Sequence, residues 1–386
     1  MPISLRVAQE QLGLSPKNYN VTLPLGATLN MDGTALYQAI AAMFIGMIFL
    51  SNYFVNNSND FSSDEIINYV NQDILFLEDS PYIEMLDSND FNYNNVNGLR
   101  LEIRKAKTMT DGLLGVNIMV ALTNFGELVE ASIDEGIDFI FAGAGLPLNL
   151  PMYLKGNTHT KLVPIISSAR AAKIITQKWL KAYNYLPDAF VLEGPQAGGH
   201  LGFKADQLDE EEFQLEHVLP EVLEILKPFE EKHGKPIPVI AGGGIYDGSE
   251  IKYFLDHGAS AVQMATRFVT TTECDASESF KQSYIDATKE DITIIKSPVG
   301  LPGRAINNQY LKDVEAGLKH PFKCPYDCII TCKKELAPYC ITLALVNAKK
   351  GKLRNGFAFA GSNAYKADKI ISVSELVTTL KQEYQK

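Results

Sequence analysis

From about Val96 onward, short apolar runs alternate with longer amphipathic stretches along the chain. Each run is partly β-branched and ends in Gly, Ser or a polar turn, which is typical of a buried parallel strand. Stretches such as FGELVEASIDEG and GSEIKYFLDHG lie between the runs and carry apolar residues at helical spacing. The pattern predicts repeated βα units of an α/β protein. The six runs cover residues 113–122, 137–145, 161–168, 188–194, 236–244 and 260–268.

A (β/α)8 TIM barrel is the closed form of such a fold, and it needs eight parallel strands. Six runs leave a shortfall of two, and both missing strands would have to lie upstream of Leu113. There, NVTLPLGATL reads as a strand, TALYQAIAAM as a helix and IGMIFLSN as a second strand, which together make one βαβ unit. We therefore hypothesise that the N-terminal segment replaces barrel strands one and two, with Met47–Leu50 parallel to Gly115–Met119.

Part of this N-terminal segment also has the length of a membrane span. Gly33–Val55 carries no charged residue over 23 positions, which is enough to cross a bilayer as a helix. Polar residues interrupt it at Tyr37, Gln38, Ser51 and Asn52, which favours a buried helix followed by a buried strand. The N-terminus, MPISLRVAQEQ, lacks the features of a signal peptide. Membrane association therefore stays an alternative to burial in the barrel.

Local composition divides the chain into four predicted segments. Residues 56–98 are rich in Asn, Asp and Ser and are predicted to form a linker or surface excursion. They separate the N-terminal segment, 1–55, from a barrel core with regular composition over residues 99–320. The remaining residues, 321–386, hold four of the five cysteines. We predict that this last segment is an extension that packs on the barrel.

The overall composition is ordinary for a globular protein, with 46% apolar and 21% charged residues in a chain of 386. A net charge of -11 argues against nucleic acid or an anionic membrane surface as the main partner. Five cysteines are an odd number in a long chain, so a disulfide framework is not expected. These features predict a cytoplasmic protein.

Residues suited to ligand binding fall where the apolar runs end, which is the working end of a parallel barrel. Glycines there let backbone N–H groups approach an anion closely. The fifth run ends in three glycines and the sixth reaches Ala265 and Thr266, and the phosphate site of barrels lies after strands seven and eight. We predict a phosphate cradle, with ordinary tight βα turns as the alternative. The cradle candidates are Gly242, Gly243, Gly244, Ala265 and Thr266. The other candidates for ligand binding are Asn117 inside the first run, Glu193 at the end of the fourth, and Gly198 and Gly199 just after it.

His200 is the candidate catalytic residue. It directly follows Gly198 and Gly199 at the same end of the expected barrel. A neutral imidazole can remove a carbon-bound proton or donate a hydrogen bond near neutral pH. A structural histidine is the alternative. No HExxH or similar pair of metal ligands occurs, so the sequence predicts no metal site around this residue.

The extension contains a cluster of cysteines in KCPYDCIITCKKELAPYC. Cys324, Cys328 and Cys332 lie four positions apart, which would place them on one face of a helix, and Cys340 follows. The spacing matches no common ligand pattern for a metal or an iron–sulfur centre. We therefore interpret these cysteines as small buried apolar residues.

Six motifs in a fixed order give the core a family resemblance: GVNIMV, AGAGLP, EGPQAGGHLGF, PVIAGGGI, AVQMATRF and SPVGLPGRAI. On these motifs, residues 98–386 resemble the nitronate monooxygenase (2-nitropropane dioxygenase) family, which are FMN-dependent (β/α)8 barrels related to the flavin enoyl-ACP reductases. The resemblance implies that FMN lies in the barrel mouth, with its phosphate on Gly242–Gly244 and Ala265–Thr266. It also implies that Asn117 and the loop Glu193–Gly199 lie beside the isoalloxazine ring.

The same resemblance implies a reaction. His200 would be the base that abstracts the α-proton of a nitroalkane or poises a bound nitronate, and O2 would complete the oxidation. The implied partners are therefore a small-molecule substrate and O2. Two alternatives stay open: an NAD(P)H-dependent flavin reductase like the enoyl-ACP reductases, which share AGGH and AGGG, and an inactive fused or truncated pseudoenzyme.

The N-terminus resembles a different family. Residues 2–45 contain PLGATLNMDGTA and are similar to a fragment of the dicarboxylate/amino-acid:cation symporters. In those transporters the equivalent of Asn30–Gly33 is an unwound point of a membrane helix that helps to bind sodium and substrate. One candidate span is too little for such a transporter, so we interpret the front end as a fused or rearranged piece. The opening strands typical of nitronate monooxygenases, which read like PIIQGGM and GGIGVIS, are not found.

Overall fold

The structure, a computed structural model, describes residues 91–109, 112–321, 324 and 327–386. The hypothesised N-terminal βαβ unit, the apolar segment Gly33–Val55 and the symporter-like residues 2–45 lie outside the described residues. Within the described ranges the chain forms nine strands. They are β1 (Gly115–Met119), β2 (Phe139–Gly143), β3 (Lys161–Ile166), β4 (Phe190–Glu193), β5 (Gly199–His200), β6 (Val239–Gly242), β7 (Ala261–Gln263), β8 (Ile292–Lys296) and β9 (Pro302–Ile306).

Six of these strands form one curled sheet in the order β1-β2-β3-β4-β6-β7. Every neighbouring pair is parallel, which requires a crossover connection between successive strands. Each strand falls inside one of the six apolar runs, so the six predicted strands are confirmed. The α/β fold built on a parallel barrel sheet is confirmed with them.

A small antiparallel sheet, in the order β5-β9-β8, covers the carboxyl end of the curled sheet near β4. Gly199 pairs with Arg304, and His200 pairs with Gly303. The family resemblance implies a loop over Glu193–Gly199, whereas Gly199 already belongs to β5. The difference arises because a strand of two residues has no hydrophobic period, and its partner lies about one hundred residues further along the chain.

Amphipathic helices connect the parallel strands, as the pattern predicts. Helix α3 is a clear case, because the Ser168 side chain caps its first turn through the N–H of Ala171 and its Trp179 is fully buried. The helices of the described residues are α1 (Phe91–Met109), α2 (Phe125–Asp134), α3 (Ala169–Tyr183), α4 (Leu215–His233), α5 (Gly248–Asp256), α6 (Thr266–Val269), α7 (Glu278–Ile285), α8 (Gln309–Glu315), α9 (Ile341–Lys349) and α10 (Val373–Tyr384).

Side chains of the curled sheet divide between two faces, because successive residues of a strand point to opposite sides. Phe190 and Leu192 belong to a large apolar cluster that contains helix residues such as Trp179. Ala189 and Val191 pack instead in a separate cluster with residues of the neighbouring strands. This second set lines the inside of the curled sheet. Polar residues that share this inner face near the carboxyl ends of the strands therefore point toward the place where a ligand is expected.

Helix α5 holds the turn that follows β6. The Asp247 side chain accepts hydrogen bonds from the N–H groups of Ser249 and Glu250, and the Glu250 carboxylate accepts from the N–H of Asp247. Gly248 allows α5 to pack closely on α10, because a Cβ there would lie 2.2 Å from the carbonyl oxygen of Leu380. The start of α5 is therefore fixed both by its own caps and by the last helix of the chain.

Helix α1 begins at Phe91 and so overlaps the end of the segment 56–98 that the composition marks as a linker. It packs on α2 through ion pairs from Arg100 and Arg104 to Glu135. Asn and Asp favour turns over helices as isolated residues, but this tertiary contact outweighs their local preference here. The four segment boundaries themselves stay predictions.

The segment 321–386 contacts the core at several places. No helix contains the cysteines from 327 to 340 among the described residues, so the one-face arrangement of Cys324, Cys328 and Cys332 does not form. Cys328 is buried with its thiol 3.2 Å from the Thr342 hydroxyl, and the other three are half-buried. Isolated β-bridges join Leu122 to Ile329, Thr271 to Ile371 and Ala305 to Phe359.

Within the described ranges, no group of three or more His, Cys, Asp or Glu side chains is arranged to hold a metal ion. In the same ranges, no helix combines the length and the apolar character needed to cross a membrane.

Candidate active site

A small cavity lies where β6 and β7 end. Its wall contains Gly243 and Gly244 from the turn after β6, Ala265 and Thr266 from the chain after β7, and Gly198 from the loop after β4. All five were candidates on sequence grounds. The structure brings them together because the carboxyl ends of neighbouring parallel strands meet at one edge of the sheet.

Conformation and space both require the two cavity glycines. Gly243 has a φ of +96° and Gly244 a φ of +86°, a region that other residues adopt only with strain. A Cβ on Gly243 would lie 2.9 Å from the carbonyl oxygen of Gly194, and one on Gly244 would lie 2.9 Å from the Cβ of Gln196. The turn therefore runs directly against the loop after β4 and presents peptide groups to the cavity.

The C-terminal segment closes the other side of the cavity. The N–H of Gly361 donates to the Thr266 hydroxyl at 3.0 Å, and the Asn363 amide donates to the Gly244 carbonyl at 2.6 Å. Gly361 and Asn363 also line the wall. Sequence reasoning missed both residues, since their partners lie about one hundred positions away and nothing local in AFAGSNA indicates a contact.

A row of polar side chains continues from this cavity along the inside of the sheet. Glu193 lies two positions after the inward-facing Val191, and its register partner is Gly242. Gly242 pairs in turn with Gln263, whose neighbour Val262 faces the helices. Glu193 is 6% exposed and Gln263 is 4% exposed. Two buried polar side chains thus flank Gly242, and Gln263 is a further residue that the sequence analysis did not single out.

Burial changes the protonation of Glu193. Removal from water disfavours the carboxylate and raises its pKa to about 8. The group is therefore mainly protonated at neutral pH and is able to donate a hydrogen bond. A carboxyl group of this kind suits the polar edge of a bound ligand better than it suits a cation.

His200 is neutral as the sequence analysis expected, but for a stronger reason. Burial lowers the pKa of its imidazole to about 3. Its Nε2 lies 2.6 Å from the Ser297 hydroxyl oxygen, and its ring packs edge-on against Phe359 with the ring centroids 5.0 Å apart. The side chain is therefore held between the hairpin of β8 and β9 and the C-terminal segment.

Arg304 anchors the loop that precedes His200. One guanidinium nitrogen donates to the carbonyl oxygens of both Pro195 and Ala197, and the side chain is buried at 8% exposure. Hydrogen bonds to a charged donor are stronger than neutral ones. Arg304 lies in the motif SPVGLPGRAI, but the motif alone assigns it no role, because its carbonyl partners lie on the connection after β4.

The other candidates lie outside the cavity wall. Asn117 is in the middle of β1, opposite Phe141 of β2. Its neighbours Val116 and Ile118 pack with the helices, so Asn117 faces the inside of the sheet. The structure does not bring it to the cavity. Gly199 and His200 form β5, and Gly242 and Glu193 form the row described above.

Two protein families match two separate parts of the chain. The nitronate monooxygenase family matches residues 91–383. The chain belongs to this family. The sodium:dicarboxylate symporter family matches residues 1–56, in line with the fragment described for the N-terminus.

Members of the nitronate monooxygenase family and related proteins align over parts of the chain. FabK from Thermotoga maritima superimposes with a TM-score of 0.59 at 26% identity, over 75% of this chain and 81% of FabK. A probable nitronate monooxygenase of Staphylococcus aureus is 32% identical over 33% of this chain and 34% of its own length.

A third relative is the (3aS,4S,5R,7aS)-5-hydroxy-7a-methyl-1-oxo-octahydro-1H-indene-4-carboxyl-CoA dehydrogenase of Mycobacterium tuberculosis. It is 29% identical over 57% of this chain and 55% of its own length. The chain therefore spans about half the length of such curated relatives.

We expect Glu193→Gln to remove a pH dependence of stability. Between pH 4.5 and about pH 8, Glu193 holds a proton in the folded protein that it releases in the unfolded chain. The free energy of unfolding therefore falls as the pH rises through this window. His200 has the opposite slope between about 3 and 6.5, because there only the unfolded chain holds its proton. Above pH 6.5 the contribution of His200 no longer opposes that of Glu193. Glu193 should then lower the free energy of unfolding by up to about 1.4 kcal/mol per pH unit.

Urea unfolding of the purified protein between pH 6.5 and 8 measures this slope. The Glu193→Gln variant should lose less stability over this interval than the wild type. Replacing the exposed Glu221 with glutamine is the matched control and should keep the wild-type slope. Equal slopes for the wild type and Glu193→Gln would contradict the assignment.

Proposed function

We propose that the protein is an FMN-dependent oxidoreductase that oxidises nitronates and nitroalkanes with O2, with His200 as the base. The observation that carries the proposal is the peptide-lined cavity at Gly243–Gly244 and Ala265–Thr266, whose wall includes Gly198, two positions before the half-buried, neutral His200. Membership in the nitronate monooxygenase family supports the same reaction class.

The chemistry of the cavity supports a phosphate group. The described residues of its wall include Gly243 and Gly244 with their peptide groups and Thr266 with its hydroxyl, and none of these described residues is a Lys or an Arg. Backbone N–H groups in such a concave turn bind anions without a cation. The residues present therefore fit the phosphate of FMN, and a Cβ on either glycine would reduce the close approach of the backbone.

The inner face of the sheet supports the rest of the cofactor. Glu193 and Gln263 are buried polar side chains that flank Gly242 next to the cavity. A protonated Glu193 can donate a hydrogen bond, and the Gln263 amide can donate and accept. We assign these two residues to the polar edge of the flavin, and Asn117 to a contact further along the same face.

The chain itself would manage the proton and the orientation of the substrate. FMN would supply the redox chemistry when bound. His200 would take the proton from the carbon next to the nitro group, while the electron pair of that C–H bond stays on the substrate as a nitronate. Arg304 fixes the carbonyl groups of the loop before His200, and this would hold the imidazole ring of His200 in one orientation toward the substrate.

The absorbance spectrum of the purified protein is the first test. A visible flavin spectrum that reconstitutes with FMN supports the cofactor assignment. Oxygen consumption with a nitroalkane and with its pre-formed nitronate then tests the reaction. A colourless protein that does not take up FMN would contradict the proposal and would favour a pseudoenzyme.

A second candidate is an NAD(P)H-dependent flavin reductase of an enoyl thioester. It is favoured by the CoA-ester dehydrogenase among the relatives, which aligns over more of this chain than the nitronate monooxygenase of Staphylococcus aureus does. Stopped-flow measurement of flavin bleaching separates the two. Rapid bleaching by NAD(P)H would favour the reductase, and bleaching by a nitronate followed by O2-dependent recovery would favour the oxidase.

A further inference from the structure

The carboxylate of Glu383 joins the two chain connections that form the cavity after β6 and β7. Glu383 lies in the last turn of α10, and its Oε2 accepts the N–H of Gly248 at 2.9 Å, where α5 begins. Its two oxygens also accept hydrogen bonds from Arg267, at 3.0 Å and 3.2 Å. Arg267 directly follows Thr266 of the cavity wall. One side chain of α10 therefore contacts both the connection after β6 and the connection after β7.

Arg267 extends this contact to the cavity wall itself. The Nη1 that binds Glu383 also donates to the Tyr246 carbonyl at 2.8 Å, and the guanidinium carbon lies 4.9 Å from the centre of the Tyr246 ring. Tyr246 lines the cavity two positions after Gly244. Its N–H donates to the Glu250 carboxylate at 2.5 Å. Charged side chains therefore bind both backbone polar groups of Tyr246, and such hydrogen bonds are stronger than neutral ones.

The ion pair between Arg267 and Glu383 differs from an ordinary surface salt bridge. The two side chains are only 15% and 26% exposed, and the pairing is bidentate, which fixes geometry as well as adding energy. The pair also satisfies the N–H of Gly248 and the carbonyl of Tyr246. An anion site made of peptide groups needs such order, because groups that must first be immobilised reduce the affinity for the ligand.

We propose that Glu383 is a positioning residue that, through Arg267, holds the turn after β6 in the conformation that receives the phosphate of the cofactor. The proposal rests on the proposed function for the identity of that cofactor. The charges of Glu383 and Arg267 offset each other, so the pair supplies order rather than attraction for the phosphate. Its contribution belongs to the affinity for FMN and not to the affinity for riboflavin, which has the same ring system without the phosphate.

Glu383→Asp tests this role at unchanged charge. The aspartate carboxylate is one methylene shorter, so it does not reach Gly248 and Arg267 at the same time. We expect the dissociation constant of FMN to rise by roughly three- to tenfold, a part of the free energy of hydrogen bonds to charged groups, and that of riboflavin to stay within about twofold. Arg267→Lys keeps its charge but loses the planar fork, and should give the same pattern. Fluorescence titration of the flavin-free protein measures both constants.

Glu273→Asp is the matched control, because Glu273 binds the other end of the same helix. It is buried, and both of its carboxylate oxygens accept the N–H of Val373, the first residue of α10, at 2.9 Å. This variant should have a lower free energy of unfolding in urea and yet bind FMN as the wild type does. An equal rise of the FMN dissociation constant in Glu273→Asp and Glu383→Asp would make Glu383 merely structural. Unchanged FMN affinity in Glu383→Asp, or an equal loss of riboflavin affinity, would also overturn the proposal.

Hydrogen exchange of the flavin-free protein examines the turn without any ligand. Peptides that contain Gly243–Gly248 should exchange faster in Glu383→Asp than in the wild type and in Glu273→Asp, because the turn opens locally more often. Unchanged exchange of these peptides would contradict the positioning role. A wild type that binds no FMN would instead refute the proposed function, and the exchange result would still decide whether Glu383 holds the turn.

Discussion

Replacing His200 with asparagine is expected to slow oxidation of a neutral nitroalkane by about two to four orders of magnitude, the usual contribution of a general base. Asparagine retains a polar side chain of similar reach but cannot take up a proton near neutral pH. The β8–β9 hairpin and the cavity at Gly243–Gly244 do not include His200, so FMN should stay bound to this variant. Steady-state kcat/KM and the flavin content of the same preparation measure the two effects.

The pre-formed nitronate is the control substrate for this variant. Its α-carbon has already lost the proton, so His200→Asn should slow its oxidation far less than that of the nitroalkane. Parallel loss of flavin and of both activities would give His200 a structural role. Retained nitroalkane activity would show that another group takes the proton.

The parallel strands could be predicted because strands that are buried on both faces are apolar at nearly every position. Runs such as DAFVLEG are apolar on both faces, since Phe190 and Leu192 meet the helices while Val191 lies inside the sheet. A glycine turn then ends the run, and the working ends of all six strands follow from their parallel order. Gly243, Gly244, Ala265 and Thr266 of the cavity wall could therefore be named from sequence.

The partners of these residues could not be named in the same way. Gly361, Asn363 and Arg304 act on groups about one hundred residues away, and each sits in a local sequence that has no period or cap to mark it. The inward orientation of Gln263 could not be predicted either, because a strand of three residues is too short to show which of its faces is buried. Tertiary contact, rather than local pattern, decides these roles.

Electrostatics was the other property that sequence could not supply. His200 and Glu193 both follow apolar stretches, but only the folded chain shows that burial lowers the pKa of one to about 3 and raises the pKa of the other to about 8. Both groups are neutral near pH 7 as a result. A neutral acid at the end of β4 and a neutral base in β5, the next strand of the chain, suit proton transfer from carbon, which needs a base free of its proton.

Gly243→Ala is expected to weaken FMN binding by roughly tenfold or more, because its backbone strain is of the order of 1–3 kcal/mol and comes with a clash. The residue has a φ of +96°, and a Cβ there would lie 2.9 Å from the Gly194 carbonyl oxygen and 3.2 Å from the Ala197 Cβ. Those atoms are backbone or short side chain, so the turn must move. Moving it displaces the peptide groups that we assign to the phosphate.

Gly234→Ala is the matched control for this variant. Gly234 ends α4 with a φ of +62°, and nothing lies within 4 Å of a Cβ built there. It should therefore show the strain as a loss of stability and leave the FMN dissociation constant unchanged. Fluorescence titration of the apoprotein with FMN, alongside urea unfolding, separates the two effects. Equal FMN affinity for Gly243→Ala and Gly234→Ala would mean that the turn after β6 does not hold the phosphate.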